Sequence, residues 1–359
     1  MKRAARSGRY AAVHVKDAVC ARNVAADDFV VTEHDVPTEL GDDDVLVRVL
    51  YVSIDPYVRG QLKNAKPNAV VPAIVLGEVA ATGKAAAATH ACGQLVSSWS
   101  GGWTEYFVAP AAAVAPVVET GDPATPLPHY LSALGMTGLT AYLSLANLGA
   151  LKEGETVVVS AAAGAVGSVV VQLAKKVYKC RVIGVAGSDD KCRRVVQRYG
   201  ADECINYKTE DVAARLAELC ASAKIDVAFD NVGGAFLDAV LDNLAKFARV
   251  LICGQISQYD ADPNTDAGAK AMIGPRKLIN LIYTEASIHG FTVLRWSATQ
   301  GPDAVKALAA LVADGTLVVD NNVVEGGVRA APDAFFSLFT GANQGKTVVH
   351  VADRGGGGV

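Results

Sequence analysis

Residues 157–167 read VVVSAAAGAVG, an apolar run followed by a turn of small residues that contains two glycines. The run predicts a buried strand, and the apolar residues after Gly167 predict a helix. The turn has the spacing A-x-G-x-x-G, with Ala162 in the first position. Gly164 would leave room for a pyrophosphate, Gly167 would let the helix pack closely on the strand, and the helix start would offer unpaired N–H groups. The stretch therefore predicts a dinucleotide site, although a strand-to-helix turn without a ligand has the same pattern.

The end of the next predicted strand, residues 182–186, indicates which dinucleotide is bound. An NAD site usually has an acid there for the ribose diol. In this chain Ser188 follows the strand, and Lys191 comes within one further turn. The ammonium of Lys191 can pair with a 2′-phosphate and Ser188 can donate to it, so these residues favour NADP. Asp189 and Asp190 would argue for NAD if they pointed inward, and Lys191 could also be a surface charge at a helix start.

Strand-like and helix-like segments alternate from Leu131 onward. The segments are a helix at 137–148, a strand at 156–160, a helix at 166–177, a strand at 181–186, a helix at 191–199, and strands at 225–229 and 249–253. This alternation is typical of parallel βαβ units. The predicted fold class is therefore α/β, with a doubly wound parallel sheet (a Rossmann domain) at 129–297.

The remaining residues predict a second, β-rich domain. Residues 44–54 alternate in part, and four of them can share one face: Val45, Val47, Val49 and Tyr51. Prolines and glycines divide the following residues into short extended pieces, and three prolines in 120–128 predict a linker. A helix, a strand, a helix from Pro332 and a last strand at 347–351 follow residue 298. We assign this tail to the first domain, which gives domains of 1–128 with 298–359, and 129–297.

Composition limits the class of protein and its partners. The chain has 359 residues, 51% of them hydrophobic, and a formal net charge of -4. The sequence has no long basic run, so nucleic acid is not an expected partner. It also has no apolar run near the about 20 residues that are needed to cross a bilayer. The seven cysteines are dispersed, which suits a reducing compartment, and we expect a cytoplasmic protein. The basic residues near the amino terminus predict a solvated arm or, alternatively, a short organelle presequence: Lys2, Arg3, Arg6 and Arg9.

The remaining chemistry fits a hydride transfer without a metal. The histidines and cysteines are too scattered to predict a zinc site, and there is no Gly-x-Ser-x-Gly elbow. A hydride transfer needs mainly orientation and charge stabilisation from the protein. Tyr259, just past the strand at 249–253, could donate to a substrate carbonyl, or it could be a partly buried loop tyrosine. Tyr57 and Arg59 lie in a proline-containing segment of the β-rich domain, where they could be ordinary packing and a surface charge.

Nine short stretches carry a resemblance to a known family over nearly the whole chain. They are SIDPYVR at 53–59, GMTGLTAY at 135–142, AAAGAVGS at 161–168, AGSDDK at 186–191, NYK at 206–208, FDNVGG at 229–234, CGQISQY at 253–259, GFTVLRW at 290–296 and GANQGK at 341–346. In this order they resemble the zinc-independent medium-chain dehydrogenase/reductases. Within that family the chain is most similar to the leukotriene/prostaglandin reductases and the plant double-bond reductases.

The resemblance implies both a fold and an activity. The fold would combine a GroES-like β-rich catalytic domain, closed by the tail of the chain, with the Rossmann domain. The activity would be NADPH-dependent reduction of the α,β-double bond of enals, enones or 15-oxo-prostaglandin-like ketones. A homodimer is also implied. Two alternatives stay open, namely a quinone reductase and a non-catalytic NADPH-binding protein.

The resemblance also implies roles for individual residues. Lys191 and Tyr207 would hold the 2′-phosphate, and the acids beside Lys191 would be compatible with that role. Tyr259 would face the nicotinamide ribose and the substrate carbonyl, while Tyr57 and Arg59 would face the substrate. The predicted cofactor-binding set is Gly164, Ala165, Val166, Gly167, Ser188, Lys191, Tyr207, Asn231, Cys253, Gly254, Ile256, Ser257, Tyr259, Phe291, Thr292, Val293 and Asn343.

Overall fold

The computed structural model describes residues 8–16, 24–259, 261, 266, 270, 274–341 and 343–355. Three of the basic residues near the amino terminus, Lys2, Arg3 and Arg6, lie outside the described residues. The chain divides into two compact units. The first contains Met1–Leu131, Asn321–Asn343 and Thr347–Val359, and the second contains Ser132–Asp320 and Gln344–Lys346.

The described strands and helices are numbered here in chain order. The strands are β1 (Arg9–Val15), β2 (Phe29–Asp35), β3 (Asp44–Ser53), β4 (Pro72–Thr82), β5 (Leu95–Gly102), β6 (Tyr106–Pro110), β7 (Ala115–Pro116), β8 (Thr156–Val159), β9 (Arg181–Ala186), β10 (Glu203–Asn206), β11 (Ile225–Asp230), β12 (Leu244–Ile252), β13 (Ser287–Gly290), β14 (Asn321–Val324) and β15 (Lys346–His350). The α-helices are α1 (Val58–Leu62), α2 (Met136–Ser144), α3 (Gly167–Gln172), α4 (Asp189–Gln197), α5 (Val212–Leu219), α6 (Ala235–Leu241), α7 (Ile279–Thr284), α8 (Leu294–Ala313) and α9 (Ala331–Thr340).

The second unit is built on a six-stranded sheet in the order β10-β9-β8-β11-β12-β13. Every neighbouring pair in it is parallel. The predicted doubly wound parallel sheet is therefore confirmed. The strand order reverses between β8 and β11, and ligands of such sheets bind outside the carboxyl ends of the strands at this switch point.

The buried strands of this sheet follow from their composition. Val157, Val158 and Val159 of β8 are fully buried, as expected for a parallel strand that is covered on both faces. Helices α5 and α6 pack together on the sheet. The core there includes Ile183 and Leu237.

The first unit contains a seven-stranded sheet in the order β14-β15-β3-β4-β5-β7, with β6 paired to β3. A separate antiparallel hairpin joins β1 to β2. The pairing of β3 with β4 shifts register between Leu46 and Val47 and again between Val49 and Tyr51. These irregularities interrupt the predicted alternation of β3, whose residues are buried on both faces.

The second boundary between the units differs from the sequence prediction. It lies after Asp320 and not after residue 297. The cause is α8, whose residues Trp296 and Ala304 pack in one cluster with Leu143 of α2. The side chains of Asn147 and Gln300 also form a hydrogen bond of 2.9 Å. The tail strands β14 and β15 lie in the sheet of the first unit, as the sequence suggested for the end of the chain.

Candidate functional site

The turn after β8 has the close backbone contacts that its two glycines predicted. Ala161 has φ 48°, and its carbonyl accepts the N–H of Gly164 at 2.8 Å. A Cβ on Gly167 would lie 2.3 Å from the carbonyl oxygen of Ala161, a distance that no side chain tolerates. The left-handed residue of the turn is thus Ala161, one position before Ala162. The amides of Ala165, Val166 and Gly167 precede or begin α3, where the first N–H groups lack partners within the helix.

Gly345 supports this turn from a distant part of the chain. Its N–H donates to the carbonyl of Ala163 at 3.0 Å, and it forms a parallel bridge with Gly164. A Cβ on Gly345 would lie 2.0 Å from the carbonyl oxygen of Asp320, and its φ is 62°. Gly345 belongs to the motif GANQGK at 341–346, whose pattern alone does not indicate this role. Its two structural requirements show that only glycine fits this position.

Asp320 is the centre of an ion-pair network in the same unit. Its carboxylate accepts from Arg194 at 2.9 Å, from Arg198 at 2.8 Å and from the hydroxyl of Tyr199 at 2.7 Å. Burial alone would raise the pKa of Asp320, but hydrogen bonds from these three residues outweigh it, and the pKa lies below its ordinary value. The main-chain carbonyl of Asp320 also accepts the N–H of Lys346 at 3.1 Å. The network therefore fixes the segment that carries Gly345.

A buried carboxylate, Asp230, joins the loops at the switch point of the sheet. Its Oδ1 accepts the hydroxyl of Ser160 at 2.9 Å and the N–H groups of Val232 at 2.8 Å and Gly233 at 3.0 Å. Asn231 donates from its N–H to Ser160 Oγ at 2.8 Å and from its Nδ2 to the Ser160 carbonyl at 2.8 Å. Burial raises the pKa of Asp230, and the three donors partly offset that rise. The side chain of Asn231, a predicted cofactor contact, is thereby held against the end of β8.

The loop after β12 is attached to the same strand end. The carbonyl of Asp230 accepts the N–H groups of Cys253 at 2.8 Å and Gly254 at 3.1 Å, and Ser257 Oγ donates to the carbonyl of Val232 at 2.6 Å. The N–H of Ile256 donates to the carbonyl of Asn231 at 3.2 Å. The predicted residues of the 253–257 loop therefore lie beside Asn231 at one edge of the sheet.

Tyr259 turns back toward the start of this loop. Its hydroxyl accepts the N–H of Gln255 at 3.3 Å, and a Cβ on Gly254 would lie 2.9 Å from it. Burial raises the pKa of Tyr259, and the hydrogen bond from Gln255 only partly offsets this, so the hydroxyl is protonated at neutral pH. Burial, followed by the charge of Asp230, raises the pKa of the Cys253 thiol to about 12. This favours the neutral thiol over the thiolate at position 253.

The ends of β9 and β10 bring together the residues predicted for the 2′-phosphate. Ser188 caps α4 by accepting the N–H of Lys191 at 3.3 Å. The ring of Tyr207 lies over Gly187, where a Cβ would lie 2.7 Å from the Tyr207 hydroxyl. Burial, and then the neighbouring ammonium of Lys208, lowers the pKa of Lys191. Lys208 is a second cation near Lys191, and its place directly after Tyr207 is the one sequence signal for it.

The two acids of the first turn of α4 are bound by other side chains. Asp189 Oδ1 accepts Nδ2 of Asn206 at 2.7 Å. Asp190 forms an ion pair with Arg193 on the exposed face of the helix. The carboxylates that would have argued for NAD are thus engaged by Asn206 and Arg193.

Three further predicted residues follow β13, the last strand of the sheet. Phe291 makes an edge-on contact with Phe229 of β11, with ring centroids 6.2 Å apart, and a tilted contact with Trp296. Val293 is buried, whereas Thr292 is exposed. Because all six strands are parallel, the predicted residues from Gly164 to Val293 follow their carboxyl ends at the same edge of the sheet.

The predicted substrate residues lie in the first unit, around α1. Tyr57 packs against the core there, and burial, followed by the charge of Asp55, raises its pKa strongly. Arg59 is a fully buried residue of α1 and not the surface charge that the alternative interpretation required. Asn343 is the last residue of its segment in the first unit, directly before Gln344. The roles of these three residues stay predictions.

Two further properties concern metals and membranes. Among the described residues, no group of three or more His, Cys, Asp or Glu side chains is arranged to hold a metal ion. No helix in the part of the chain that the structure describes is long and apolar enough to cross a bilayer.

The second unit fits a nicotinamide dinucleotide phosphate on its own geometry. Gly167 lets α3 pack closely on the turn after β8, and the N–H of Gly345 bonds to that turn, which gives the compact strand-to-helix turn that a pyrophosphate site requires. Lys191 and Lys208 lie close together beside Ser188 and Tyr207, which suits a dianionic 2′-phosphate.

Known proteins show which family the chain belongs to. A family described as zinc-binding dehydrogenase matches residues 165–317, and one described as N-terminal domain of oxidoreductase matches residues 18–117. YfmJ of Bacillus subtilis (strain 168), whose name describes an NADP-dependent oxidoreductase, is 41% identical over 86% of this chain and 89% of its own. Prostaglandin reductase 1 of Bos taurus is 35% identical over 90% of this chain and 93% of its own. The NADP-dependent 2-alkenal reductase of Nicotiana tabacum is 34% identical over 87% of this chain and 88% of its own.

A solved structure has the same fold along nearly the whole chain. CurA of Vibrio vulnificus, in complex with NADPH, matches with a TM-score of 0.84 and 32% identity, over 96% of this chain and 99% of its own. Fold, site and relatives together define an NADPH-dependent reductase that acts on small molecules. The chain belongs to the medium-chain dehydrogenase/reductase family, in the branch with prostaglandin and 2-alkenal reductases, as its sequence motifs predicted.

Proposed function

We propose that this reductase saturates the C=C bond of α,β-unsaturated aldehydes and ketones. The family and the use of NADPH are shown by the relatives, whereas the substrate class is our inference. Relatives whose names state a substrate act on a prostaglandin, on curcumin and on a 2-alkenal. The substrate class therefore rests on those names together with the chemistry of Tyr259.

The single observation that carries the proposal is the state of the Tyr259 hydroxyl. It accepts a hydrogen bond from the N–H of Gln255 at 3.3 Å, so its own proton can be donated elsewhere. Its raised pKa keeps that proton in place at neutral pH. A neutral, oriented O–H donor at the carboxyl edge of the sheet is what a substrate that develops charge on a carbonyl oxygen requires.

The reaction of an enone explains why such a donor is needed. When bound, NADPH supplies a hydride, which the β-carbon of the substrate accepts. The electron pair of the C=C bond then moves toward the carbonyl, and negative charge accumulates on its oxygen as an enolate. A hydrogen bond from Tyr259 would stabilise that charge, and a proton from solvent or from Tyr259 would complete the α-carbon.

The remaining predicted residues would hold the cofactor. The amides at Ala165–Gly167 would take the pyrophosphate, and Lys191 with Tyr207 and Ser188 would take the 2′-phosphate. Asn231, the 253–257 loop, Phe291 to Val293 and Asn343 would line the rest. Tyr57 and Arg59 would contact the substrate.

The test is a comparison of the parent enzyme with Tyr259→Phe, which removes one hydroxyl and keeps the ring. NADPH consumption is followed with a small enone, a 2-alkenal and a quinone. We expect turnover of the enone and the alkenal, and a fall in kcat of about 10²–10³-fold in Tyr259→Phe, as for removal of one donor to a developing oxyanion.

Tyr283→Phe is the matched control, because Tyr283 is an exposed tyrosine of α7 with 72% of its surface accessible. It should behave as the parent enzyme does. Turnover of the quinone alone would replace the proposal by its quinone-reductase alternative. Tight NADPH binding without turnover of any of the three substrates would favour a non-catalytic protein.

Two expectations about the whole molecule also stay predictions. The resemblance implies a homodimer, which light scattering on the purified protein would test. The dispersed cysteines favour the cytoplasm, and localisation of a tagged full-length chain would separate this expectation from an organelle presequence.

A further inference from the structure

Asn206, at the end of β10, links two parts of the predicted 2′-phosphate site. It is buried, with 5% of its surface accessible. Its Nδ2 donates to Asp189 Oδ1 at 2.7 Å, and its Oδ1 accepts the N–H of Lys208 at 3.1 Å. One amide side chain therefore contacts the acid at the start of α4 and the backbone of the loop that carries the second cation.

The contact with Asp189 decides where a negative charge lies. Asp189 is two residues before Lys191, in the first turn of α4. An acid at the end of the second strand of such a sheet is the usual ligand of an unphosphorylated ribose diol. A carboxylate free to turn toward Lys191 would neutralise its ammonium and repel a 2′-phosphate. The N–H donor of Asn206 holds this carboxylate at the base of the 206–208 loop.

The second contact shapes the loop itself. The N–H of Tyr207 donates to the carbonyl of Ala186 at 3.0 Å, which places the ring of Tyr207 over Gly187. The N–H of Asn206 donates to Glu210 Oε1 at 2.7 Å, and its carbonyl accepts the N–H of Glu210 at 2.8 Å. With the bond from Lys208, these contacts fix the backbone that carries Tyr207 and Lys208, and the ammonium of Lys208 is near enough to lower the pKa of Lys191.

We propose that Asn206 is a positioning residue that sets the preference for NADPH over NADH, by holding Asp189 away from the 2′-phosphate. The inference rests on the predicted role of Lys191 in binding that phosphate. It does not depend on the enone substrate, because its readout is cofactor binding.

The test exchanges the amide of Asn206 and the carboxylate of Asp189, first one at a time and then together. Asn206→Asp places a second carboxylate opposite Asp189, so the pair repels and Asp189 is released. We expect the Kd of NADPH, measured by fluorescence titration, to rise by about tenfold or more, which corresponds to at least about 1.4 kcal/mol. The Kd of NADH should change by less than about threefold. Asp189→Asn alone removes the acid and should keep the preference for NADPH.

The double variant Asn206→Asp with Asp189→Asn is the decisive control. The amide introduced at position 189 can donate to the carboxylate introduced at position 206. The other oxygen of that carboxylate still accepts the N–H of Lys208, and the net charge equals that of the parent protein. We expect the preference for NADPH to return. A double variant that folds but stays impaired, or an Asn206→Asp protein that loses both cofactors equally, would overturn the proposal.

A second pair of variants keeps the question answerable if the exchange variant does not fold. Asn206→Ala removes the donor and should lower the ratio of NADPH to NADH affinity. Adding Asp189→Asn to it should restore that ratio, because no acid is left to turn inward. No restoration in a folded double variant would refute the role of Asp189, and thermal unfolding of each variant establishes that it is folded.

Discussion

Gly167→Ala is the most direct test of the turn after β8. A Cβ at this position would lie 2.3 Å from the carbonyl oxygen of Ala161, 2.9 Å from its carbonyl carbon and 3.0 Å from the Cα of Ala162. Non-bonded carbon contacts need about 3.5 Å, so the turn and α3 would have to separate by about 1 Å. All three obstacles are backbone atoms, and no side-chain rotation can relieve them.

Both stability and NADPH binding should fall in this variant. Overpacking of this kind costs about 1–3 kcal/mol, which lowers the thermal unfolding midpoint by about 2–12 °C. A displacement of about 1 Å also moves the amides of the turn away from the pyrophosphate. Each hydrogen bond to a charged group contributes about 1.5–3 kcal/mol, so the Kd of NADPH should rise by about tenfold or more. Circular dichroism melting and fluorescence titration measure the two effects.

Two other glycines provide matched controls. A Cβ on Gly164 would lie 3.1 Å from the same carbonyl oxygen, so Gly164→Ala should perturb the turn less. A Cβ on Gly301, inside α8, would meet nothing within 4 Å. Gly301→Ala should therefore change stability less than Gly167→Ala does, because the helix preference of alanine is offset by the restricted conformation of a residue before Pro302. If Gly167→Ala melts and binds NADPH as the parent protein does, the close approach of Ala161 is absent in solution and the reasoning is refuted.

Three further predictions concern the same unit. Lys191→Ala should raise the Kd of NADPH by about 10–100-fold and leave that of NADH within about threefold; equal weakening of the two would contradict the 2′-phosphate role. Gly345→Ala should lower both the melting temperature and NADPH affinity, because its Cβ would lie 2.0 Å from the carbonyl oxygen of Asp320, and unchanged titrations would exclude its support of the turn. Asp320→Asn should lower the free energy of unfolding by about 1.5–3 kcal/mol at neutral pH. Folding lowers the pKa of Asp320, so its contribution to stability is complete above the unfolded pKa and is lost as the pH falls through the folded value. In urea titrations, the difference in unfolding free energy between the parent protein and Asp320→Asn should therefore shrink below about pH 4. A difference that stays constant with pH would contradict this account.

The sequence predicted most of the second unit because its strands are short, apolar and separated by helical segments. The strand predicted at 181–186 is β9, and that at 156–160 is β8, which ends at Val159. The cofactor residues at 164–167, 188–191, 231 and 253–257 could be named because they follow predicted strands, whereas only the resemblance indicated Tyr207, Phe291 to Val293 and Asn343. Parallel strands place their carboxyl ends at one edge of a sheet.

Other features had no local signal in the sequence. The left-handed residue of the turn, Ala161, is not a glycine. The A-x-G-x-x-G pattern therefore did not indicate it and placed Ala162 in the first glycine position. Gly345 acts on a turn that is distant in sequence, and only the parallel bridge to Gly164 shows its role. The boundary after Asp320 depends on the packing of α8 against α2, because an amphipathic helix does not specify which unit it covers.

Asp230 shows why the switch point of this sheet needs a buried acid. The turn after β11 points the N–H groups of Val232 and Gly233 inward, and Ser160 adds a hydroxyl donor from the end of β8. An apolar residue at 230 would leave these donors buried without an acceptor, at about 1–3 kcal/mol each. A carboxylate costs several kcal/mol to desolvate, yet it accepts from all three donors at once. It thereby fixes Asn231 and the loop after β12 relative to β8.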